Sequence, residues 1–187
     1  KKDVVLERVS VFSKGDEYKN YDAAKVFNEG KRKIQENNKA ILEKIEVDKK
    51  KKEEEFAANQ QKLVDDLKAG MQSTPSGLYY KITKTTDGVA PKAGDQVSVH
   101  YAVKLVDGTE FDSSFKRNQP IDIPIGMGQV IKGWDEGILL LKEGETATLL
   151  IPSELGYGAR GAGGVIPPNA WLVFDVELVK VNSTAVK

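Results

Sequence analysis

The sequence predicts an α+β fold: a long α-helical segment followed by a compact domain of antiparallel strands with one short helix. Three observations lead there. Residues 1–74 hold no proline and three of the 17 glycines, whereas residues 75–187 hold all seven prolines. Proline and glycine punctuate turns and are costly inside helices. The first part then repeats apolar residues at helical spacing, and the second alternates apolar and polar residues with the period of a strand.

Residues 1–18 are expected to be a tail or the remnant of a preceding domain. Leu6, Arg8, Ser10 and Phe12 alternate with Val5, Glu7, Val9 and Val11, a strand pattern ended by Ser13-Lys14-Gly15. A lone strand needs sheet partners, and no neighbouring strand follows. The chain starts Lys1-Lys2-Asp3, with neither an initiator Met nor the apolar core of a signal peptide. The expectation is a processed form or a fragment of something longer.

Residues 19–72 read as a long charged helix, with the pattern clearest from Tyr21 to Lys68. Phe27, Ile34 and Ile41 lie seven apart and Ile45 follows by four. Phe56, Leu63 and Leu67 continue by steps of 11, seven and four, all of which keep one helical face. Between the patches, Lys49, Lys50 and Lys51 precede Glu53, Glu54 and Glu55 by four, a mildly supportive pairing. A helix of about 48 residues extends about 70 Å. Three readings compete: a solvated spacer between domains, a hairpin or coiled coil that makes a homodimer, and a basic arm for nucleic acid or membrane. Acidic residues nearly match basic ones along it, which disfavours the arm. The thin, interrupted stripe favours the spacer.

Residues 73–187 form the second domain, opened by Ser73-Thr74-Pro75-Ser76-Gly77. Strands are predicted at Leu78–Thr83, Asp95–Val106, Thr109–Asp112, Thr146–Ile151 and Trp171–Val179. In the second, Val97, Val99, Tyr101 and Val103 share one face and Ser98, His100, Ala102 and Lys104 the other. Asp107-Gly108 marks the hairpin turn after it. Only Val130–Leu141 looks helical. That helix is expected to pack on one sheet face, leaving the other face and the loops to shape a pocket.

Several chemistries are excluded. Lys plus Arg equals Asp plus Glu at 28 each, which gives no support for nucleic acid as a partner. The apolar runs are far below the roughly 20 residues of a membrane span. There is no cysteine, and His100 is the only histidine, so no Cys or two-His metal site is available and no metal or cofactor is expected. His100 sits mid-strand and reads as a packed, hydrogen-bonded residue. Gly156-Tyr157-Gly158-Ala159-Arg160-Gly161 fits the Gly-x-Gly-x-x-Gly pattern, but Pro167 and Pro168 forbid the helix a dinucleotide site needs. Asp135-Glu136 and Asp65-Asp66 are neighbours that point apart, so they read as solvated faces. Asn182-Ser183-Thr184 fits a glycosylation sequon, but it lies in a short tail and is discounted. The compartment, cytoplasmic or extracytoplasmic, is left open. What remains are aromatics near turns, with Tyr157 in a Gly-rich loop where a core role is unnatural.

Val99-His100-Tyr101, the run Asp107–Ser114, Val130-Ile131-Lys132-Gly133-Trp134-Asp135-Glu136-Gly137, Tyr157-Gly158, Val165–Ala170 and Leu172–Leu178 together resemble the FKBP family. The resemblance runs in unbroken order from about Ser76 to Val181. It implies a curved antiparallel sheet wrapped on a short helix, with an apolar pocket between them. It implies peptidyl-prolyl cis-trans isomerase activity on proline-containing polypeptides, with macrolide-type inhibitors as further ligands. On this sequence Trp134 becomes the pocket floor. Tyr101, Phe111, Ile121, Val130, Ile131 and Phe174 become its walls, and Tyr157, Val165 and Ile166 its overhanging loop. Asp112, paired with Arg117, stands beside the reacting amide, where it either orients the pocket through Arg117 and Tyr157 or senses the carbonyl dipole. Asp112, Tyr157 and Phe111 carry catalysis, with the Ile131 N–H and the Tyr157 hydroxyl holding substrate carbonyls.

The chain departs from the family pattern in places. Ile121 stands where many relatives have Phe, Gln129 where some have Glu, and Ala162 and Gly163 replace bulkier loop residues. Two weaker resemblances concern the N-terminal part. Residues 5–17 look like the end of a cyclophilin domain in bacterial cyclophilin–FKBP fusions. Pro75-Ser76-Gly77-Leu78 looks like periplasmic FKBPs that dimerise through N-terminal helices. The alternative to an enzyme is a chaperone or adaptor that binds clients through the same pocket and the helix.

Overall fold

The computed structural model describes residues 22–182. The strand expected in residues 4–12 lies outside them, as do Ser183 and Thr184 of the sequon. The described chain contributes to two compact units, one ending at Glu54 and one beginning at Glu55. The second unit thus takes in the last turns of the long helix together with the strand-rich part.

Helix α1 runs Ala23–Leu67. Asp22 caps it: its Oδ1 accepts the Lys25 N–H at 2.9 Å, satisfying one of the orphan donors of the first turn. Lys49–Glu53 and Lys50–Glu54 approach at 3.7 and 3.9 Å. Exposed pairs of this kind are worth a few tenths of a kcal/mol each. In the first unit the apolar stripe is open, with Phe27 42% and Ile34 62% exposed.

In the second unit the helical stripe departs from expectation. Leu67 is 40% exposed, while Val64, absent from the seven-and-four pattern, is fully buried. It packs with Leu150 and Val173. The seated positions are Gln60, Val64 and Lys68, spaced by four. Gln60 is buried by hydrogen bonding, and Lys68 lays its ammonium over the Tyr79 and Trp171 rings at 4.9 and 5.1 Å. Two of the three are polar, so apolar periodicity does not register them.

The domain is one antiparallel seven-stranded sheet in the order β1-β2-β6-β7-β3-β4, with β5 also on β3. The strands are β1 Gln72–Ser73, β2 Tyr79–Lys84, β3 Gln96–Leu105, β4 Glu110–Ser113, β5 Ile121–Pro124, β6 Thr146–Ile151 and β7 Leu172–Asn182. Five match the predicted strands. β1 is too short to show a period of two, β5 is as short as β4 but has no hairpin turn like Asp107-Gly108 to announce it, and the one-turn helix α2, Ser114–Arg117, is equally illegible.

Helix α3, Lys132–Leu139, is the element on which the sheet closes. Its two glycines explain how closely it sits. A Cβ at Gly133 would lie 2.5 Å from Ile151 Cγ2, and one at Gly137 2.6 Å from Leu149 Cδ1. Four residues apart, they clear one stripe of the helix for β6. The register sets the same-face row Val103, Phe174 and Leu149 beneath it. Leu150 and Val173, the next residues along their strands, point to the opposite face and meet Val64. The expectation that the face away from α3 is free for a pocket is therefore corrected: that face seats the end of α1, and the large cavity lies on the α3 side.

Candidate functional site

The cavity on the α3 side measures about 690 Å³. Its floor is Trp134, only 4% exposed. Tyr101 and Phe174 meet the indole edge-to-face, with centroids 5.3 and 5.4 Å away and interplanar angles of 80° and 75°. That geometry is the favourable one for rings carrying a quadrupole. The indole N–H is buried without an acceptor among the described residues.

Three local devices hold these rings in place. Asp135, in the first turn of α3, accepts the N–H groups of Gly126 and Gly128 at 2.8 and 2.7 Å. Both glycines have positive φ, so the β5–α3 loop is a preformed nest that delivers Val130 and Ile131 to the cavity. Ser114, fully buried, accepts the Tyr101 N–H at 2.7 Å. It also holds His100 Nδ1 at 3.0 Å, and Phe115 stacks on the imidazole at 4.9 Å. His100 is thus a structural strand residue. The third device is polar and stands at the rim. Asp112 accepts the Tyr101 hydroxyl and the Arg117 guanidinium. Arg117 also donates to the Tyr101 oxygen at 3.1 Å, and the Ser113 N–H reaches Asp112 at 2.8 Å.

The electrostatics follow from this triad. Hydrogen bonds from Arg117 and then Tyr101 hold the Asp112 carboxyl below its usual range. Burial, reinforced by the bond to Asp112, raises the Tyr101 phenol. Asp112 therefore stays ionised and Tyr101 neutral over the physiological range, a fixed dipole at the edge of an apolar hollow.

Most sequence-predicted residues converge. Tyr101, Phe111, Asp112, Ile121, Val130, Ile131, Trp134, Tyr157, Val165 and Phe174 all line the cavity. Three placements differ from expectation. Ile166 is 6% exposed and belongs to the core rather than the lining; of the overhanging loop, Val165 faces the cavity, because successive residues turn to opposite sides there. Arg117 lines a separate polar hollow of about 240 Å³ with Glu110 and Lys116, behind Asp112. Asp112 is partnered by Arg117 and Tyr101, not by Tyr157. Val103 and Gln129 complete the lining. The strand alternation already put Val103 on the face of Tyr101, a signal that could have found it; Gln129 departs from the family pattern beside Val130, which marks the position without placing it in the lining.

The comparisons agree with this geometry. Residues 88–179 match the family described as FKBP-type peptidyl-prolyl cis-trans isomerase. The chain is 57% identical over 103 residues to FK506-binding protein 1 of Dictyostelium discoideum, covering 55% of this chain and 96% of that protein. It is 45% identical over 161 residues to the FKBP-type peptidyl-prolyl cis-trans isomerase FkpA of Aeromonas hydrophila, covering 86% of this chain but 57% of that protein. This chain thus spans little more than half the length of that bacterial relative. The crystal structure of FkpA from Escherichia coli superposes with a TM-score of 0.65 at 36% identity, covering 81% of this chain and 72% of that one. The expected likeness to the end of a cyclophilin domain draws no support from these relatives. With an indole-floored cavity on a seven-stranded sheet that closes on α3, and 57% identity across 96% of an FK506-binding protein, this chain is a member of the FKBP-type peptidyl-prolyl cis-trans isomerase family.

Proposed function

We propose that the chain accelerates rotation about X-Pro bonds in polypeptides by binding the twisted amide in the cavity around Trp134. The observation that carries the reading is the aromatic floor and walls, Tyr101, Trp134 and Phe174, packed edge-to-face in a hollow of about 690 Å³. An amide is planar because resonance gives C–N double-bond character, with a barrier of roughly 18–20 kcal/mol. Twisting removes the resonance and with it charge on the carbonyl oxygen. An apolar cavity binds that state better than the planar one, and only such differential binding lowers a barrier. No nucleophile or proton transfer is needed.

In this reading Phe111 and the three rings enclose the prolyl side chain. Asp112, Tyr157 and Phe111 are the groups beside the reacting amide. The Ile131 N–H, at the N-cap of α3 and without an acceptor among the described residues, holds a substrate carbonyl, as does the Tyr157 hydroxyl. Arg117 acts through Asp112. Residues 73–187 form the isomerase domain, and the exposed Phe27, Ile34, Ile41 and Ile45 on the 19–72 segment suit contact with a second copy of this chain. Relatives named FK506-binding proteins support macrolides as competitive ligands of the same cavity.

The decisive experiment is an exchange measurement on an X-Pro tetrapeptide, where uncatalysed turnover takes tens to hundreds of seconds. The chain is expected to shorten this, and Phe111→Ala with Asp112→Ala to abolish the effect. No acceleration by a chain whose circular dichroism shows it folded would leave a binding module.

A further inference from the structure

The loop that overhangs the cavity runs from Tyr157 to Asn169. Tyr157 and Val165 are its cavity-facing residues, 41% and 59% exposed. It has little stiffness of its own: Gly158, Gly161, Gly163 and Gly164 all have positive φ, and its internal pairing is local, a single turn at Gly158–Arg160 and a tight closure at the tip where Ala162 bridges Ile166 and accepts the Val165 N–H. Its position therefore depends on its neck. There the Asn169 N–H donates to the Gly158 carbonyl at 3.0 Å, closing the loop one residue beyond Tyr157. Asn169 itself is left-handed, with φ 58°, a conformation that asparagine reaches more easily than other non-glycine residues and that a tether on its carbonyl holds in place.

What fixes it comes from the helix. Gln60 of α1 is 8% exposed. Its Nε2 donates to the Asn169 carbonyl at 2.9 Å, and its Oε1 accepts the Trp171 N–H at 2.7 Å. One amide thus brackets Ala170, itself 3% exposed, and grips the chain on both sides of the turn. Val64, one helical turn on, is buried against Leu150 and Val173 and keeps the helix seated. The contacts Gln60–Asn169, Asn169–Gly158 and then the peptide link to Tyr157 form a continuous chain from α1 to the cavity rim.

We propose that Gln60 is a positioning residue of the isomerase: α1 sets, through the neck of the overhanging loop, where Tyr157 and Val165 stand over the substrate. This rests on the isomerase reading above. The last turns of α1 are then part of the site's framework. In the isomerase reading the Tyr157 hydroxyl holds a substrate carbonyl before and during the twist and Val165 covers the substrate, contacts made in ground and transition state alike, so loosening the loop raises KM more than it lowers kcat.

The test uses the full chain with Gln60→Met, which keeps length and apolar stem but removes both hydrogen bonds, and Gln60→Glu, which keeps the acceptor for Trp171 and loses the donor to Asn169. Steady-state constants on an X-Pro peptide are measured beside amide hydrogen exchange and urea denaturation. Gln60→Met is expected to raise KM by about threefold to tenfold with kcat changed less than about twofold. Exchange at residues 158–165 should quicken while β3 and β7 stay protected, and Gln60→Glu, which sets a carboxylate oxygen against the Asn169 carbonyl, should quicken it at least as much. Unchanged KM with unchanged loop exchange overturns the proposal. So does faster exchange spread over all strands with KM unchanged, which marks a purely structural role. If the unsubstituted chain gives no acceleration, the isomerase reading fails, and with it a role for Gln60 in catalysis; loop exchange then still reports whether the helix anchors the neck.

Discussion

Ile41 and Val64 are both β-branched aliphatic residues of α1, yet the first is 56% exposed and the second fully buried. Helix propensity does not separate them. What separates them is the surface each meets: Val64 lies against Leu150 and Val173, the outward residues of β6 and β7. Helix α3 carries the point further. Its eight residues fall short of the 12–15 that make even a marginal helix in water, but Trp134 and Ile138 are buried and two glycines admit β6. Around Ile41, α1 is helical through local pairing and propensity; around Val64 and in α3 the helix is held by what it packs on.

That contrast can be broken first at α3. Trp134→Ala removes the ring on which the whole aromatic set leans, and is expected to destabilise by about 3–5 kcal/mol, with isomerase activity lost at temperatures where the variant is still folded. Urea denaturation beside the peptide exchange assay measures both. A stable variant of full activity would separate the indole from the site.

The next effect is at Val64. Val64→Ala is expected to cost about 1–3 kcal/mol of the domain's stability, read from the shift in denaturation midpoint at unchanged slope. Retained stability would mean that the end of α1 rests on the sheet without contributing to it.

A smaller effect concerns the rim. The folded-state carboxyl of Asp112 titrates below its ordinary value of 3.8. Its contribution is then complete above the ordinary value and is lost only as pH falls through the lower folded one. The raised Tyr101 phenol has the opposite sign, complete below 10.0 and lost as pH rises through its folded value. NMR exchange on an X-Pro peptide should give kcat/KM with no titration near 3.8, and Arg117→Met should bring the acid limb up toward it. The pair is half exposed, so the stability change stays under about 1 kcal/mol. The smallest effect closes the comparison. Ile41→Ala should change stability by no more than about 0.5 kcal/mol, read from the denaturation curve, and light scattering on the same variant reads whether the exposed stripe joins two copies.

Much of the site was legible through the resemblance to the FKBP family, and a smaller part of it in local pattern. Alternation in β3 put Tyr101 and Val103 on one face, and the run from Val130 to Gly137 announced the helix and its indole. The Gly-rich loop flagged Tyr157 as something other than core. The illegible parts are those where two distant segments choose each other. Ile166 and Val165 are adjacent apolar residues, and nothing local says which one turns to the cavity. Asp112 took Tyr101 rather than Tyr157 as its partner because β3 and β4 are paired, which brings Val103 opposite Asp112. β5 is four residues long and shows only once β3 is there to receive it.

By itself, then, the sequence determined the order of the long helix, five of the seven strands and α3, and the absence of thiol and two-histidine chemistry. These are properties of residue type and spacing, and they hold wherever the segments end up. The rings that gather at the cavity are named instead through the resemblance to the FKBP family. Tertiary structure alone decided which sheet face the cavity opens on and which helical residues are seated. It also decided that a glutamine 109 positions before Asn169 grips the neck of the loop over the cavity. A polar side chain leaves no hydrophobic period behind it; its burial becomes favourable only when a partner backbone, far along the chain, supplies the hydrogen bonds that water gave up.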